Sequence, residues 1–144
     1  MKKIGWLFCI ACVFSCNEND FQEEIPYAFF EDIRIELDLP QYNDLSFDGG
    51  YMTLNEGVRG IILYRENESS YHAYEMICSY HPQDACATIN VHGSGLTMFC
   101  PCCNSTFSFT TGYPTGGGPA QYPLRKYQVY LDRRVLTVTD EPVI

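Results

Sequence analysis

The sequence predicts an all-β domain, a sandwich or barrel of short antiparallel strands. Between Ile33 and Leu39, apolar side chains alternate with charged ones, which is the period of a half-buried strand. Further runs rich in β-branched and aromatic residues recur at roughly the 8–12-residue spacing of sandwiches and barrels. No segment has the periodicity of a long amphipathic helix. A chain of 144 residues fits one such domain, since domains typically have ~100–150 residues.

The strands are bounded by turn residues and prolines. The first ends at Pro40, which cannot donate to a sheet. The Gly- and Pro-rich stretch 110–123 is predicted to be a loop, because it suits neither a helix nor a central strand. The last two strands form a hairpin that turns at Asp132 and Arg133. The predicted strands, in chain order, are 33–39, 51–54, 58–65, 71–77, 87–91, 96–99, one beginning at 107–109, 126–131 and 135–139.

The N-terminus has the features of a signal peptide. Two lysines precede an apolar run and a small-residue site, and the run is too short to span a membrane. The end of this segment, Val13 to Cys16, resembles the lipobox of bacterial lipoproteins. The resemblance implies that Cys16 is acylated and holds the protein on a membrane surface; the alternative is an ordinary secretory signal. We therefore divide the chain into a signal peptide (1–16), an acidic tether (17–28) and a domain (29–144).

The charge of the chain excludes some partners. Without Lys2 and Lys3 it keeps 7 basic residues against 18 acidic ones, a net charge near −11. Nucleic acid and anionic membrane patches would repel such a protein, so neither is an expected partner. The predicted location is the bacterial cell envelope, lipid-anchored to the outer membrane on its periplasmic or surface face. That compartment is oxidising and permits disulfides.

Two cysteine-rich loops carry the candidate chemistry. Cys78 and His81 are separated by two residues, as are Cys100 and Cys103, and 18 residues lie between the two pairs. By spacing alone this is a zinc-ribbon pattern whose four ligands are three cysteines and one histidine. One cysteine in each loop is then left over, and this pair would suit a disulfide that ties the loops together: Cys86 and Cys102. A metal site, an iron–sulfur cluster and disulfides all remain open on this evidence.

The order of the elements resembles the Rieske family. CPCCNSTF, residues 100–107, is similar to the family's C-P-C-H-G-S-x-Y, and GGGPAQYP, residues 116–123, is similar to its proline loop. The likeness extends over residues 59–139 and includes the closing strands. It implies a Rieske-like antiparallel sandwich in which a small subdomain binds a [2Fe–2S] cluster between two loops.

Residue by residue, the resemblance implies a modified ligand set. Cys78 and Cys100 match the two thiolates on one iron. His81 matches the first histidine on the other iron, although the family spacing is C-x-H and here it is C-x2-H. Cys103 stands where the family has its second histidine. Cys86 and Cys102 match a disulfide that many Rieske domains have over the cluster.

Two further positions would influence the cluster. Ser105 matches a serine that donates a hydrogen bond to a bridging sulfide, whereas Phe107 replaces a tyrosine whose hydroxyl does the same. The resemblance therefore implies a cluster ligated by three cysteines and one histidine, with a lower potential than an ordinary Rieske centre. It also implies one-electron transfer or redox sensing with an unknown redox partner protein, and no enzyme activity. The alternatives are a cluster-free binding or structural module held by its disulfide, and a zinc site with the same four ligands.

Overall fold

The computed structural model describes residues 24–143, whose regular elements are β-strands apart from one 3-10 helix. The predicted signal peptide, Cys16 and most of the tether lie outside the described residues. Among residues 24–143, no helix is long and apolar enough to cross a membrane. The elements are β1 (Ile33–Glu36), a 3-10 helix (Pro40–Leu45), β2 (Tyr51–Leu54), β3 (Ile61–Asn67), β4 (Ser70–Glu75), β5 (Asn90–Val91), β6 (Met98–Phe99), β7 (Thr106–Phe107), β8 (Pro114–Gly116), β9 (Lys126–Asp132) and β10 (Val135–Pro142).

The strands form two antiparallel sheets. The larger sheet has six strands in the order β1-β10-β9-β4-β3-β2, and the smaller has four in the order β5-β6-β7-β8. β9 and β10 form the predicted closing hairpin, with Asp132 paired to Val135 and Arg133 in the left-handed conformation. The predicted all-β antiparallel architecture, with a smaller sheet that carries both cysteine loops, is confirmed.

Strand ends differ from the prediction where side chains or turns take over backbone hydrogen bonds. The third strand begins at Ile61 rather than at residue 58, because the Val58 and Arg59 N–H groups donate to the Glu75 carboxylate. β1 stops at Glu36, since the Leu39 N–H donates to the Glu36 carbonyl in a turn. The strand propensities of the residues do not reveal that side chains and turns compete with the sheet for these backbone hydrogen bonds.

The region after the second cysteine loop also departs from the prediction. The strand expected to begin at 107–109 is β7, Thr106–Phe107, and it ends where the Gly112 N–H turns back to the Ser108 carbonyl. Within the predicted loop 110–123, residues 114–116 form β8. β8 lies at the edge of the smaller sheet, which is the position that a proline-containing strand tolerates.

Two apolar clusters meet across β3. Ile61 and Leu63 belong to the cluster inside the larger sheet, and Ile62, between them, belongs to the cluster that joins the two sheets. Because β3 is covered on both faces, its sequence is a continuous apolar run rather than an alternating one. The second cluster also contains Cys78 and Cys100. These cysteines are therefore part of the packing between the sheets.

Glu75 is a fully buried side chain at the end of β4. It accepts hydrogen bonds from the Val58 and Arg59 N–H groups at 2.9 Å each and from the Tyr127 hydroxyl at 2.8 Å. A buried polar group is tolerated only when it is well hydrogen-bonded. Glu75 thus joins the loop before β3 to β4 and β9, and it lies three residues before Cys78 in the chain.

We expect the Tyr127→Phe substitution to lower the free energy of unfolding by about 1–3 kcal/mol, because it removes one of three donors from a buried carboxylate. Tyr130→Phe is the matched control, since Tyr130 lies on the same strand and is 54% exposed. It should change stability by less than about 0.5 kcal/mol. Urea denaturation of both variants checks the prediction, and equal effects would contradict it.

Candidate metal centre

The smaller sheet brings the two cysteine loops to the same end. The first loop, 78–87, leads into β5, and the second, 100–105, joins β6 to β7. β5 and β6 are antiparallel, with Asn90 opposite Phe99, so the end of the first loop lies beside the start of the second. An isolated bridge between Ile77 and Thr88 closes the base of the first loop.

Backbone hydrogen bonds fold the first loop back on itself. The Cys78 N–H donates to the Ala87 carbonyl at 2.9 Å, and the Ala87 N–H donates to the Asp84 carbonyl at 3.0 Å. The Asp84 N–H in turn donates to the carbonyl of His81 at 3.1 Å. His81 has a left-handed φ of 49°, which is uncommon for a residue other than glycine and is found in tight turns.

The second loop is a tight turn that includes Pro101 and Asn104. Asn104 has a φ of 61°, a conformation that asparagine adopts more readily than most residues. Its N–H donates to the Cys100 carbonyl at 2.9 Å, and the Cys100 N–H donates to the Ser105 carbonyl at 2.9 Å. Three cysteines in four positions therefore lie on one compact turn.

The two loops bring three sulfur atoms together. The Sγ atoms of Cys78, Cys100 and Cys103 all lie within 4.8 Å of one another, and those of Cys78 and Cys103 are 3.6 Å apart. Cys78 and Cys100 are buried, and Cys103 is half-buried. Three of the four predicted ligands thus converge.

His81 is not part of this group of converging atoms. Its side chain is exposed and its ring packs edge-on against Tyr80, with 4.2 Å between ring centroids. Tyr80, two residues after Cys78, occupies the position that a C-x-H spacing would give to the histidine. The ligand role of His81 stays a prediction.

Cys86 and Cys102 are joined in a disulfide in the structure, with 5.3 Å between their Cα atoms. The bond connects the first loop to the second. It closes a chain segment with a sequence separation of 16, and a loop of about this length stabilises a fold by about 3 kcal/mol in the chain-entropy account. The other three cysteines of the described chain, those whose sulfurs converge, are free thiols.

In addition to the two cysteine loops, the Gly- and Pro-rich stretch 110–123 packs around the sulfurs, and we call it the third wall. The Ala120 N–H donates to Ser105 Oγ at 3.0 Å, and that same Oγ lies 3.2 Å from Cys103 Sγ. A Cβ on Gly118 would lie 2.6 Å from Ser105 Oγ and would also collide with the Cys103 carbonyl. Ser79 Oγ completes the wall by donating to the Tyr122 carbonyl at 2.6 Å.

The surroundings of the thiols differ from one cysteine to another. Burial, more than any other cause, raises the pKa of the Cys78 thiol well above its ordinary value. Burial also acts to raise the pKa of Cys103, but hydrogen bonds with Ser105 and with the neighbouring thiols outweigh it and hold this pKa below its ordinary value. The Ser105 hydroxyl can donate to a Cys103 thiolate, the form that binds metals.

The arrangement offers soft donors for a metal. Among the metals that proteins bind, thiolates select copper(I), zinc and iron–sulfur clusters. Phe107, which stands where the resemblance places a tyrosine, is fully buried and has no hydroxyl to donate. Ser105, also fully buried, has a hydroxyl that accepts a hydrogen bond from the Cys103 thiol at 3.2 Å.

Sequence reasoning did not single out Gly118 and Ala120 as parts of the site. The run of three glycines followed by proline was the available signal, because glycine is selected where backbone approaches backbone closely. Nothing in the sequence marks Ser79 as part of the site, since the hydrogen-bond partner of its hydroxyl is a backbone carbonyl 43 residues away. Contacts of this kind depend on the three-dimensional course of the loops.

Comparison with known proteins finds similarity among solved structures alone. No family model and no curated protein matches the chain. The ferredoxin of carbazole 1,9a-dioxygenase from Nocardioides aromaticivorans IC177 is similar over 67% of this chain and 91% of its own, with 23% identity and a TM-score of 0.46. A chain from the complex of reduced oxygenase and oxidised ferredoxin in carbazole 1,9a-dioxygenase is similar over 67% of this chain and 86% of its own, with 20% identity and a TM-score of 0.49. Likeness at this level concerns the course of the chain and carries no conclusion about chemistry.

We expect the Gly118→Ala substitution to push the third wall away from the second loop, because the added methyl group collides with backbone. The free energy of unfolding should fall by about 1–3 kcal/mol, and the Ala120 amide should exchange its hydrogen faster. Gly93→Ala is the matched control, since a Cβ there meets nothing within 4 Å. Hydrogen exchange measured by NMR checks this, and equal protection of Ala120 in both variants would count against the close packing.

Proposed function

We propose that this protein transfers single electrons, or senses redox state, through an atypical [2Fe–2S] cluster held between the two cysteine loops. The observation that carries the proposal is the convergence of three sulfur atoms from two separate loops. Such a cluster, when bound, supplies one-electron oxidation and reduction, and no substrate chemistry is assigned to the protein.

Each cysteine has a distinct role in this proposal. Cys78 and Cys100, buried between the sheets, would hold the inner iron, and burial would exclude water from that side. Cys103, half-buried beside Ser105, would be a ligand of the outer iron. The Cys86–Cys102 disulfide would keep the loops in register whether or not the metal is bound.

His81 is our candidate for the fourth ligand. It lies in the same tight loop as Cys78 and presents an exposed imidazole. An exposed imidazole on the outer iron would face a redox partner and would provide the path for the electron. Tyr80, adjacent to it and in ring contact, is the natural reference side chain for testing this assignment.

The ligand set fixes the direction of the reduction potential. Two imidazoles on one iron place Rieske potentials at about −150 to +300 mV, against about −400 mV for all-cysteine plant-type ferredoxins. A thiolate at Cys103 in place of a neutral imidazole adds negative charge and favours the oxidised cluster. The missing hydroxyl at Phe107 acts in the same direction. We therefore place the potential of this protein below the Rieske range.

A tetrahedral zinc site is the second candidate. The spacing of the two ligand pairs and the three converging sulfurs are compatible with a structural site of three cysteines and one histidine. In that case the protein would be a binding or structural module without redox function. A chain with neither metal, held by the disulfide, would have the same kind of role. Metal analysis separates these functions.

We further propose that the protein is lipid-anchored in the bacterial cell envelope through Cys16, and that its unknown redox partner protein is located there. The basis is the lipobox-like end of the N-terminal segment. Palmitate labelling of the full chain in a bacterial host should be abolished in Cys16→Ser and retained in Cys12→Ser, the matched control. Labelling of both variants would contradict the anchor.

We expect anaerobically purified protein to contain about two irons per chain with visible absorption bands, as a [2Fe–2S] cluster requires. His81→Ala should lose most of the iron, because removing a ligand typically costs more than the 10–100-fold in affinity seen for outer-shell residues. Tyr80→Phe should retain it.

The outcomes distinguish the candidates. One zinc per chain in place of iron would support the structural site and overturn electron transfer. Protein that contains neither metal would support the cluster-free module that is held by its disulfide. Iron retained in His81→Ala but lost in Tyr80→Phe would assign the fourth position to Tyr80.

A further inference from the structure

A groove of about 620 Å³ lies where the beginning of the described chain meets the start of β9. Its lining comes from four places: residues 24–25, Thr111 and Tyr113 in the turn before β8, residues 123–126, and residues 142–143 at the end of β10. Among the described residues, no member of the two cysteine loops lines it. Its volume is within the range of about 300–1,000 Å³ that is typical of small-molecule sites.

Most of the lining is apolar or aromatic. It includes Ile25, Leu124, Pro142 and Val143, together with Tyr113, which is 59% exposed. Small-molecule sites have this composition, in which apolar side chains supply contact area and a few polar groups fix the orientation of the ligand. The apolar part of the groove therefore suits a ligand with an apolar body.

The charged side chains that line the groove are those of Glu24, Arg125 and Lys126. The chain has 18 acidic residues against 9 basic ones, so an acidic partner would be expected for most cations. Among residues 24–143, however, neither Arg125 nor Lys126 belongs to a salt bridge. One positive charge is thus in excess in the groove, which favours a ligand with a single negative charge.

Arg125 has a donor that no acceptor matches. Its Nη2 donates to the Ile25 carbonyl at 2.5 Å, and its guanidinium carbon lies 5.4 Å from the centroid of the Tyr27 ring. Its Nε is buried and has no hydrogen-bond partner among the described residues. A guanidinium binds a carboxylate through two parallel N–H bonds. A carboxylate in the groove would supply the acceptor that Arg125 lacks.

Lys126 also stands to gain from a negative charge. Its Nζ lies 5.7 Å from the centroid of the Tyr74 ring. Burial lowers the pKa of the Lys126 ammonium, and the carboxylate of Glu66 acts in the opposite direction. A second negative charge, arriving in the groove, would likewise favour the charged form of the ammonium.

We propose that this groove binds a small organic carboxylate, a monoanion with an apolar body. Arg125 holds the carboxylate, Lys126 attracts it, and the apolar lining contacts the body of the ligand. Glu24 disfavours a second negative charge, so a phosphate monoester fits less well. The site is separate from the converging sulfurs, and the proposal does not rest on electron transfer.

A titration of the purified full chain, followed by the NMR shifts of its backbone amides, tests the proposal. The probes are hexanoate and phenylacetate, each compared with its neutral amide. We expect at least one acid to bind saturably and to shift the Leu124 and Val143 amides, which line the groove. Its amide should bind at least about tenfold more weakly, because hydrogen bonds to a charged acceptor are roughly twice as strong. The preferred acid shows whether the body is an acyl chain or an aromatic ring.

Variants assign the charges. Arg125→Met should weaken the binding of the acid at least about tenfold, and Lys126→Met, which keeps most of the stem, should weaken it as well. Arg134→Met is the matched control, since Arg134 pairs with Asp38 and lies at the other end of the β9–β10 hairpin. It should change the affinity by less than about twofold in 0.15 M salt, where the Debye length is about 8 Å. Glu24→Gln should strengthen binding.

The outcomes decide the proposal without reference to iron. Equal binding of acid and amide, equal effects of Lys126→Met and Arg134→Met, or no saturable binding at about 10 mM ligand would overturn it. Tighter binding of hexylammonium than of hexanoate would assign the groove to Glu24 and a cation. A dimer in sedimentation that Lys126→Met dissociates would assign it to a second copy, and both results would also overturn the carboxylate site.

Discussion

The site depends on one constraint: three sulfur atoms on two separate loops must stay within 4.8 Å of one another. Three kinds of interaction meet this constraint. The Cys86–Cys102 disulfide connects the loops, and the burial of Cys78 and Cys100 in the second apolar cluster fixes the inner side. On the outer side, Ser105 receives the Ala120 N–H and lies beside Cys103. A loop pair held at so many points is preorganised, and under the proposed function this would lower the cost of binding a metal.

The larger sheet holds in place the strand that leads into the first cysteine loop. β3 is buried on both faces and β4 leads directly into the first cysteine loop. Glu75, at the end of β4, accepts hydrogen bonds from the loop before β3 and from Tyr127 on β9. The chain therefore enters the first cysteine loop from the end of β4, which these hydrogen bonds hold in place. The distribution of charge follows the same division, since Asp84 is the one acidic or basic residue between Met76 and Leu124, the stretch that contains the smaller sheet and the cysteine loops.

Much of the fold was predictable because its signals are local. The alternation of apolar and charged residues predicted β1, and the turn at Asp132 and Arg133 predicted the hairpin of β9 and β10. The order of the cysteines predicted which three sulfurs converge. What escaped prediction depends on distant partners. The start of β3 is set by the Glu75 side chain, which lies 17 residues after its partner Val58, and the position of the third wall is set by a steric contact at Gly118. His81 has the right residue type at a loop position, but spacing does not determine where a side chain in a left-handed turn points.

The reduction potential of Cys103→His compared with the unaltered protein tests the central claim most directly. If Cys103 is a ligand of a cluster iron, replacing its thiolate by a neutral imidazole removes negative charge from that iron. We then predict a higher potential, shifted toward the Rieske range of about −150 to +300 mV. An unchanged or lower potential in an iron-loaded variant would contradict the claim, because Cys103 would then lie outside the coordination sphere.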